Sequence, residues 1–287
     1  MKRCDLHLHT TCSDGTLSPR ELIGLAKENG LTCVAVTDHD TLAGIPEAQD
    51  EGDQIGVEVI SGVEVSVKFE PGTLHILGYF VDPTSQKLTE GLLETQTARK
   101  LRNPKIIERL KSLGIDISLE EVEQEAGGGQ VGRPHFARVM LRKGYVKTAK
   151  EAFDRYLAKG AQAYVDKRTI SSEQAIEMIE DSGGIAVIAH PKQMKLDSEP
   201  KRLAAEIKRL CSEGMKGIEV YSSCQSKTEA ARYRELAKQF GLVITGGSDF
   251  HGSTKPDIQP GWMGDGAAIS YETIDEMRQI ILGRKSK

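Results

Sequence analysis

The stretch LTCVAVTD, residues 31–38, is apolar at nearly every position, and the SPRELIGLAKENG segment before it carries every signal of an amphipathic helix. Ser18 stands where an N-cap belongs, Pro19 at the first helical position, Glu21 completes a capping box and Gly30 closes the helix. A strand without polar alternation is buried on both faces, the habit of a parallel sheet covered by helices. Residues 3–8 read as a strand ahead of that helix. GVEVISGVEVSVKF and TLHILGYF read as further strands, meeting in a hairpin around Pro71-Gly72. After residue 160 the alternation resumes with SSEQAIEMIEDSGG, IAVIAH, a helix near 199–213, KGIEVYSS, a helix near 226–240, GLVITGGSDFH, GAAIS and a last helix. This restricts the chain to the α/β class, with a parallel sheet that is closed or nearly closed. A single barrel of 287 residues is an ordinary size.

Between about residues 100 and 160 the rhythm stops. That segment shows helical patterns and turns, with Asn103-Pro104 and AGGGQVGRP as breaks. It holds 13 Lys+Arg against 8 Asp+Glu, a basic lobe of +5 on a remainder of −9. The expected organisation is a barrel built from residues 1–99 and 161–287, with residues 100–160 as a helical insert serving as a substrate lid. A net charge of −4 excludes coating of nucleic acid by bulk positive charge, and 5% aromatics argue against an extended stacking platform. Five scattered cysteines without a C-x-x-C pair suit reduced thiols, and no apolar run is long enough for a bilayer. With no signal-peptide pattern at its start, the chain is expected to be soluble and cytoplasmic, without a membrane or an obligate protein partner.

Only seven histidines occur in the sequence, and six fall on strands or at their ends. His7 and His9 lie two apart on the first strand and so share a face. His39 ends the second strand in TDHD, His75 lies in the strand after the hairpin turn, His190 ends IAVIAH, and His251 follows ITGGSDF. Carboxylates follow the same pattern: Asp14 in the first loop, Asp38 and Asp40 beside His39, Glu64 in SGVEVS, and Asp249 two before His251. In an α/β barrel the strand ends converge on one face, where active sites are built. Gathered there, these side chains form a ligand set for Zn²⁺, Mn²⁺ or Fe²⁺, too large for one tetrahedral ion and suited to two or three. Glu64 is the natural bridging carboxylate. Singly, Asp38 or Asp40 could cap a helix and Asp14 could make a turn.

DLHLHTTCSDG, TDHD, SGVEVS, IAHP and GGSDFH, in that order, resemble the PHP family, the polymerase and histidinol phosphatase metallophosphoesterases. The resemblance implies a distorted (βα)₇ TIM-like barrel with a trinuclear metal centre. His7, His9, Glu64 and Asp249 would hold one ion, Glu64, His75 and His190 a second, and Asp14, His39 and His251 a third. Mn²⁺ is the expected metal, with Fe²⁺ or Zn²⁺ as alternatives. Asp38, Asp40 and His190 are the catalytic candidates, the two aspartates also being suited to orienting a ligating imidazole. VGRPHFARVM in the insert resembles the stand-alone bacterial branch acting on nucleoside 3′,5′-bisphosphates and short RNA. Arg133 and a charged His135 thereby become candidates for gripping a substrate phosphate.

Clustered divalent ions suit phosphate-ester hydrolysis by a metal-bridging hydroxide, without a nucleophilic side chain. No G-x-S-x-G and no G-x-x-x-x-G-K-[ST] is present. The expected reaction is removal of the 3′-phosphate from nucleoside 3′,5′-bisphosphates, or attack on short 5′-phosphorylated RNA. A small-metabolite phosphomonoesterase, acting on AMP or histidinol phosphate, is the alternative. A non-catalytic metal- or nucleotide-binding module and an amidohydrolase are further readings. A bridging carboxylated lysine would favour the last of these; Glu64 suits the phosphoesterase.

Overall fold

The computed structural model describes residues 3–166, 169–264 and 267–285. The first half runs β1 (Arg3–Leu8), α1 (Pro19–Glu28), β2 (Leu31–Val36), α2 (Ile45–Ile55), β3 (Glu58–Val67), β4 (Leu74–Tyr79) and α3 (Gln86–Ser112). Three shorter helices follow: α4 (Leu119–Glu125), α5 (Arg133–Arg142) and α6 (Ala149–Ala152). The second half runs α7 (Ser172–Asp181), β5 (Ile185–Ile188), α8 (Pro200–Ser212), β6 (Gly217–Ser222), α9 (Lys227–Phe240), β7 (Val243–Gly247), β8 (Ile269–Ser270) and α10 (Glu272–Lys285). The capping box of α1 forms as its residues dictate: Glu21 N–H donates to Ser18 Oγ and Ser18 N–H to Glu21 Oε2.

The strands make one sheet in the order β7-β6-β5-β4-β3-β2-β1-β8. It curls until Leu8 pairs with Phe250 beyond β7, where His9 N–H donates to the Phe250 carbonyl at 3.1 Å. The sheet is mixed, where a parallel one was expected. β4 runs antiparallel to both β3 and β5, and β8 antiparallel to β1. The reason at β4 is the connection over residues 68–73, which is too short for the crossover that a parallel pair needs. Inside the curl, Leu6, Leu77, Tyr79, Val187 and Val243 make an apolar floor. Above it the polar ends of the strands face one another.

α3 continues through Pro104, where the sequence suggests a break. A proline there removes one backbone hydrogen bond. Burial on both sides offsets it: Leu88 and Leu92 pack in the barrel core, while Ile106, Ile107 and Leu110 pack in a second core with Phe136, Val139 and Leu157. Residues between 106 and 163 thus share a core of their own, which begins on the second half of one continuous helix.

Candidate metal centre

The site begins with the alternation of β1, which sends His7 and His9 to one face with ring centroids 5.1 Å apart. The loop after β1 is folded by Asp38, whose Oδ1 accepts from Thr10 N–H (2.8 Å) and Ser13 Oγ (2.6 Å) and whose Oδ2 accepts from Thr10 Oγ1 (2.6 Å). Gly15 makes that loop feasible, since a Cβ there would lie 2.4 Å from the His9 carbonyl oxygen. Asp40, His190 and Asp249 take φ of 53°, 23° and 53°. Non-glycine residues in this region carry strain of about 1–3 kcal/mol each, which persists where the surroundings over-determine it.

Glu64, wholly buried on β3, is the centre of the arrangement. Its Oε1 lies 2.7 Å from His75 Nδ1 and 2.8 Å from His190 Nε2. Its Oε2 lies 2.9 Å from His39 Nδ1, 3.3 Å from His9 Nε2 and 3.4 Å from His7 Nε2. Asp249 Oδ1 stands 3.5 Å from His9 Nε2 and from His251 Nδ1, and 3.7 Å from His7 Nε2. Asp14 Oδ1 is 3.4 Å from His251 Nε2, and Asp14 Oδ2 is 3.8 Å from His39 Nε2. All nine ligand candidates from the sequence therefore converge. They form four overlapping groups whose ligand atoms lie within 4.8 Å of one another: His9/Asp14/His39/His251, His7/Glu64/His190, His7/His9/Asp249 and His39/Glu64/His75.

So dense a set of ionisable groups, out of water, polarises itself. Burial alone would raise the carboxyls of Glu64, Asp14 and Asp249, yet the imidazoles around them, and Lys255 beside Asp249, hold all three well below the usual range. Burial opposes a proton on His9 too, but Asp249 and Glu64 lift it to about 9. At His75 and His251 burial wins and the imidazoles fall to about 4. Several polar atoms are buried without a hydrogen-bond partner: His7 Nε2, both nitrogens of His9, His39 Nδ1, Glu64 Oε2 and His190 Nδ1. Unpaired polar atoms in such number are costly, and cations at their centre would satisfy them. The donor set therefore fits divalent ions.

Some groups that shape the centre escape the sequence motifs. Glu219, wholly buried on β6, accepts from His7 Nδ1 at 2.9 Å and from His190 N–H at 2.6 Å. With its Nδ1 proton held there, His7 keeps Nε2 for the centre. The one clue is a carboxylate in the otherwise apolar KGIEVYSS strand. Asp5 accepts from the backbone N–H groups of His7, Ser248 and Gly261 and so ties β1 to the end of β7 and to the connection that follows it. Lys255 Nζ holds Asp249 Oδ2 at 2.5 Å. Arg99 of α3 makes a forked pair with Asp40 Oδ2 (2.5 and 2.9 Å), while Asp40 Oδ1 accepts from Ser66 N–H.

The insert residues lie as follows. Arg133 donates to the Leu157 carbonyl at 3.0 Å and sits over the Tyr164 ring, 5.5 Å from its centroid. His135 is buried, with Nδ1 accepting from Gly132 N–H at 2.9 Å. The charged imidazole expected from the sequence is not formed: burial, then Arg138, push His135 down to about 4. A measurable consequence follows from the sign. The unfolded chain takes up this proton near pH 6.5 and the folded one only near 4, so stability falls as pH drops through that window. His135→Gln should remove this component. In urea unfolding the gap between wild type and variant should shift by about 3 kcal/mol between pH 7 and pH 4; a constant gap would contradict the assignment.

The family model of the PHP domain matches residues 5–223, which takes in every ligand candidate except Asp249 and His251. The chain belongs to the PHP family. It is accordingly a metal-dependent phosphoesterase, a hydrolase acting on ester bonds. Among its PHP relatives, a 5′-3′ exoribonuclease of Haemophilus influenzae is 37% identical over 251 residues, 87% of this chain and 90% of that one. A 3′,5′-nucleoside bisphosphate phosphatase of Chromobacterium violaceum is 34% identical over 253 residues, 88% of each. A solved structure from Chromobacterium violaceum, described as an amidohydrolase with bound sulfate and no metal, superposes with a TM-score of 0.85 at 32% identity, covering 93% of this chain and 91% of that one. Among the described residues no helix is long and apolar enough to cross a membrane.

Proposed function

We propose that this PHP enzyme removes the 3′-phosphate of nucleoside 3′,5′-bisphosphates and cleaves nucleotides from short 5′-phosphorylated RNA. The observation that carries this reading is a cluster of three guanidinium groups beside the metal centre, buried Arg99 and Arg102 and half-buried Arg133, against the two carboxylates of Asp40 and Asp166. Arg102 is only 4% exposed, and its hydrogen bonds among the described residues go to Asn103 Oδ1 alone. Burial, then the neighbouring Arg99 and Arg133, depress it to about 9. Guanidinium groups crowded in this way call for an anion, and planar forks suit a phosphate. Arg99 reaches the centre through Asp40, whose N–H donates to the Glu64 carbonyl, so a second phosphate on Arg102 and Arg133 would lie beside the first. The names of the exoribonuclease and bisphosphatase relatives point the same way.

In this reading His7, His9, Glu64 and Asp249 would hold one divalent ion, Glu64, His75 and His190 another, and Asp14, His39 and His251 a third. Mn²⁺ is preferred, and the mixed His/carboxylate donors also suit Fe²⁺ or Zn²⁺. Bound ions would neutralise the phosphoryl oxygens and lower the pKa of water. The chain's own residues do the rest. Glu219 orients His7, Lys255 holds the outer oxygen of Asp249, and the arginines fix the non-reacting phosphate so that its binding energy positions the reacting one. Asp38 and Asp40, their oxygens committed to Thr10, Ser13, Ser66 and Arg99, act as positioning groups. His135, neutral and buried, holds the start of α5 through the Gly132 N–H.

Phosphate release by the Mn²⁺-loaded enzyme from adenosine 3′,5′-bisphosphate, 5′-AMP and histidinol phosphate tests the proposal. The bisphosphate should be preferred. Arg102→Met and Arg133→Met should each raise its KM about 10–100-fold, the worth of a charged hydrogen bond, and leave the monophosphates unaffected. Equal turnover of a monophosphate, insensitive to both substitutions, would instead favour the small-metabolite phosphomonoesterase.

A further inference from the structure

The ligand groups of the centre are supported from two different places. His7, His190 and Glu64 are held by the barrel itself: Glu219 meets His7 and the His190 N–H, Asp5 meets the His7 N–H, and Glu64 N–H donates to the Asp38 carbonyl. In the neighbouring group of His9, Asp14, His39 and His251, the loops carrying Asp14, His39 and His251 are gripped in addition from outside, by the insert. Arg138 of α5 donates through Nη1 to the Asp14 carbonyl at 3.1 Å and to Thr254 Oγ1 at 2.8 Å, three residues beyond His251. Gln130 Nε2 donates to the His39 carbonyl at 2.9 Å, and Gln130 N–H to the Cys12 carbonyl at 3.0 Å. The fit is close, since a Cβ on Gly129 would lie 2.0 Å from the Thr11 carbonyl oxygen.

The Arg138 grip has rigid backing. Arg138 is fixed by Glu125 of α4 at 3.0 Å, and its helix is seated by Phe136, Val139 and Met140 in the insert's own core. Each of the three loops carrying Asp14, His39 and His251 thus receives a hydrogen bond from the insert, all aimed at backbone or at a neighbour and none at the ligating atoms. Such bonds fix where a ligand sits while leaving its donor atoms to a cation.

We infer that the insert builds the ion site of Asp14, His39 and His251, with Arg138 and Gln130 as its positioning residues, so that occupancy of this site depends on how the insert is seated. This rests on the three-ion reading given above. The sign of the effect separates positioning from charge. Arg138 is a cation, so by Coulomb's law alone its removal would tighten binding of a nearby metal ion. Loss of the clamp should loosen it.

The test is a Mn²⁺ titration of the metal-free protein, with free Mn²⁺ counted by electron paramagnetic resonance, for wild type, Arg138→Met and Gln130→Met. Wild type should bind three ions. Each variant should bind two as wild type does and the third about 10–100-fold more weakly. The two unchanged sites serve as the internal control for folding, and Gln130→Met, which keeps α5 intact, stands if Arg138→Met does not fold. Three sites of unchanged or higher affinity in the folded variants would overturn the inference alone. Two ions in wild type would overturn the three-ion reading and the inference with it.

Discussion

Glu64→Gln should lower kcat/KM for any phosphate ester on the order of 10³-fold and strip the protein of more than one ion. The substitution keeps the shape of the side chain and one carbonyl oxygen but removes the charge. Five histidine nitrogens lie between 2.7 and 3.4 Å from its two oxygens, belonging to His7, His9, His39, His75 and His190. No other residue of the centre touches so many. An amide would have to present an N–H₂ to one set of imidazoles, turning an acceptor into a donor where cations would sit. A second consequence needs no turnover assay. His9, held against burial at about 9 by Asp249 and Glu64, should titrate lower in the metal-free variant. Metal analysis, phosphate release and an imidazole NMR titration check these together. A variant that keeps its ions and a tenth of its activity would show that Glu64 is not the centre's bridging group.

The parts that were legible in the sequence are those whose physics is local. The spacing of His7 and His9 on a strand, the capping box at Ser18 and Glu21, and the hairpin at Pro71-Gly72 each depend on a few neighbouring residues, and each forms. The convergence of the nine ligand candidates was also readable, because strand ends of a curled sheet must meet. What the sequence hid is decided by partners far along the chain. Glu219 lies 212 residues from His7, and its role exists only once β6 closes against β1. Arg99 and Arg102 look like ordinary charged positions on a long polar helix, yet the packing of α3 buries them. The charge of His135 failed for the same reason, since nothing in GRPHFAR discloses that the ring faces inward. The parallel sheet expected from the sequence gives way at β4, because the β3–β4 hairpin sets β4 antiparallel to both of its neighbours.

Asp40→Ala separates two roles that the sequence leaves together, catalysis and positioning. A group that exchanges a proton with substrate can be removed with loss of rate and little loss of stability. The surroundings of Asp40 argue for the opposite. Its Oδ2 takes both arms of Arg99, its Oδ1 takes Ser66 N–H, its N–H donates to the Glu64 carbonyl and its own carbonyl accepts from Gln96. It therefore joins α3 to β3 next to the metal centre, and it supplies negative charge beside Arg99 and Arg102. Cutting one partner from a buried ion pair costs about 3–5 kcal/mol, because the remaining charge stays buried without compensation. The metal-free Asp40→Ala protein should accordingly melt about 10 °C below wild type. Asp40→Asn keeps the acceptor for Ser66 and should lose less. The reverse pattern, an unchanged melting temperature with kcat reduced equally in both variants, would return Asp40 to the reaction itself. The stability loss should also be salt-insensitive, since the pair is shielded from solvent ions. In the intact protein this pair couples the arginines proposed to take the second phosphate to the strand that carries Glu64.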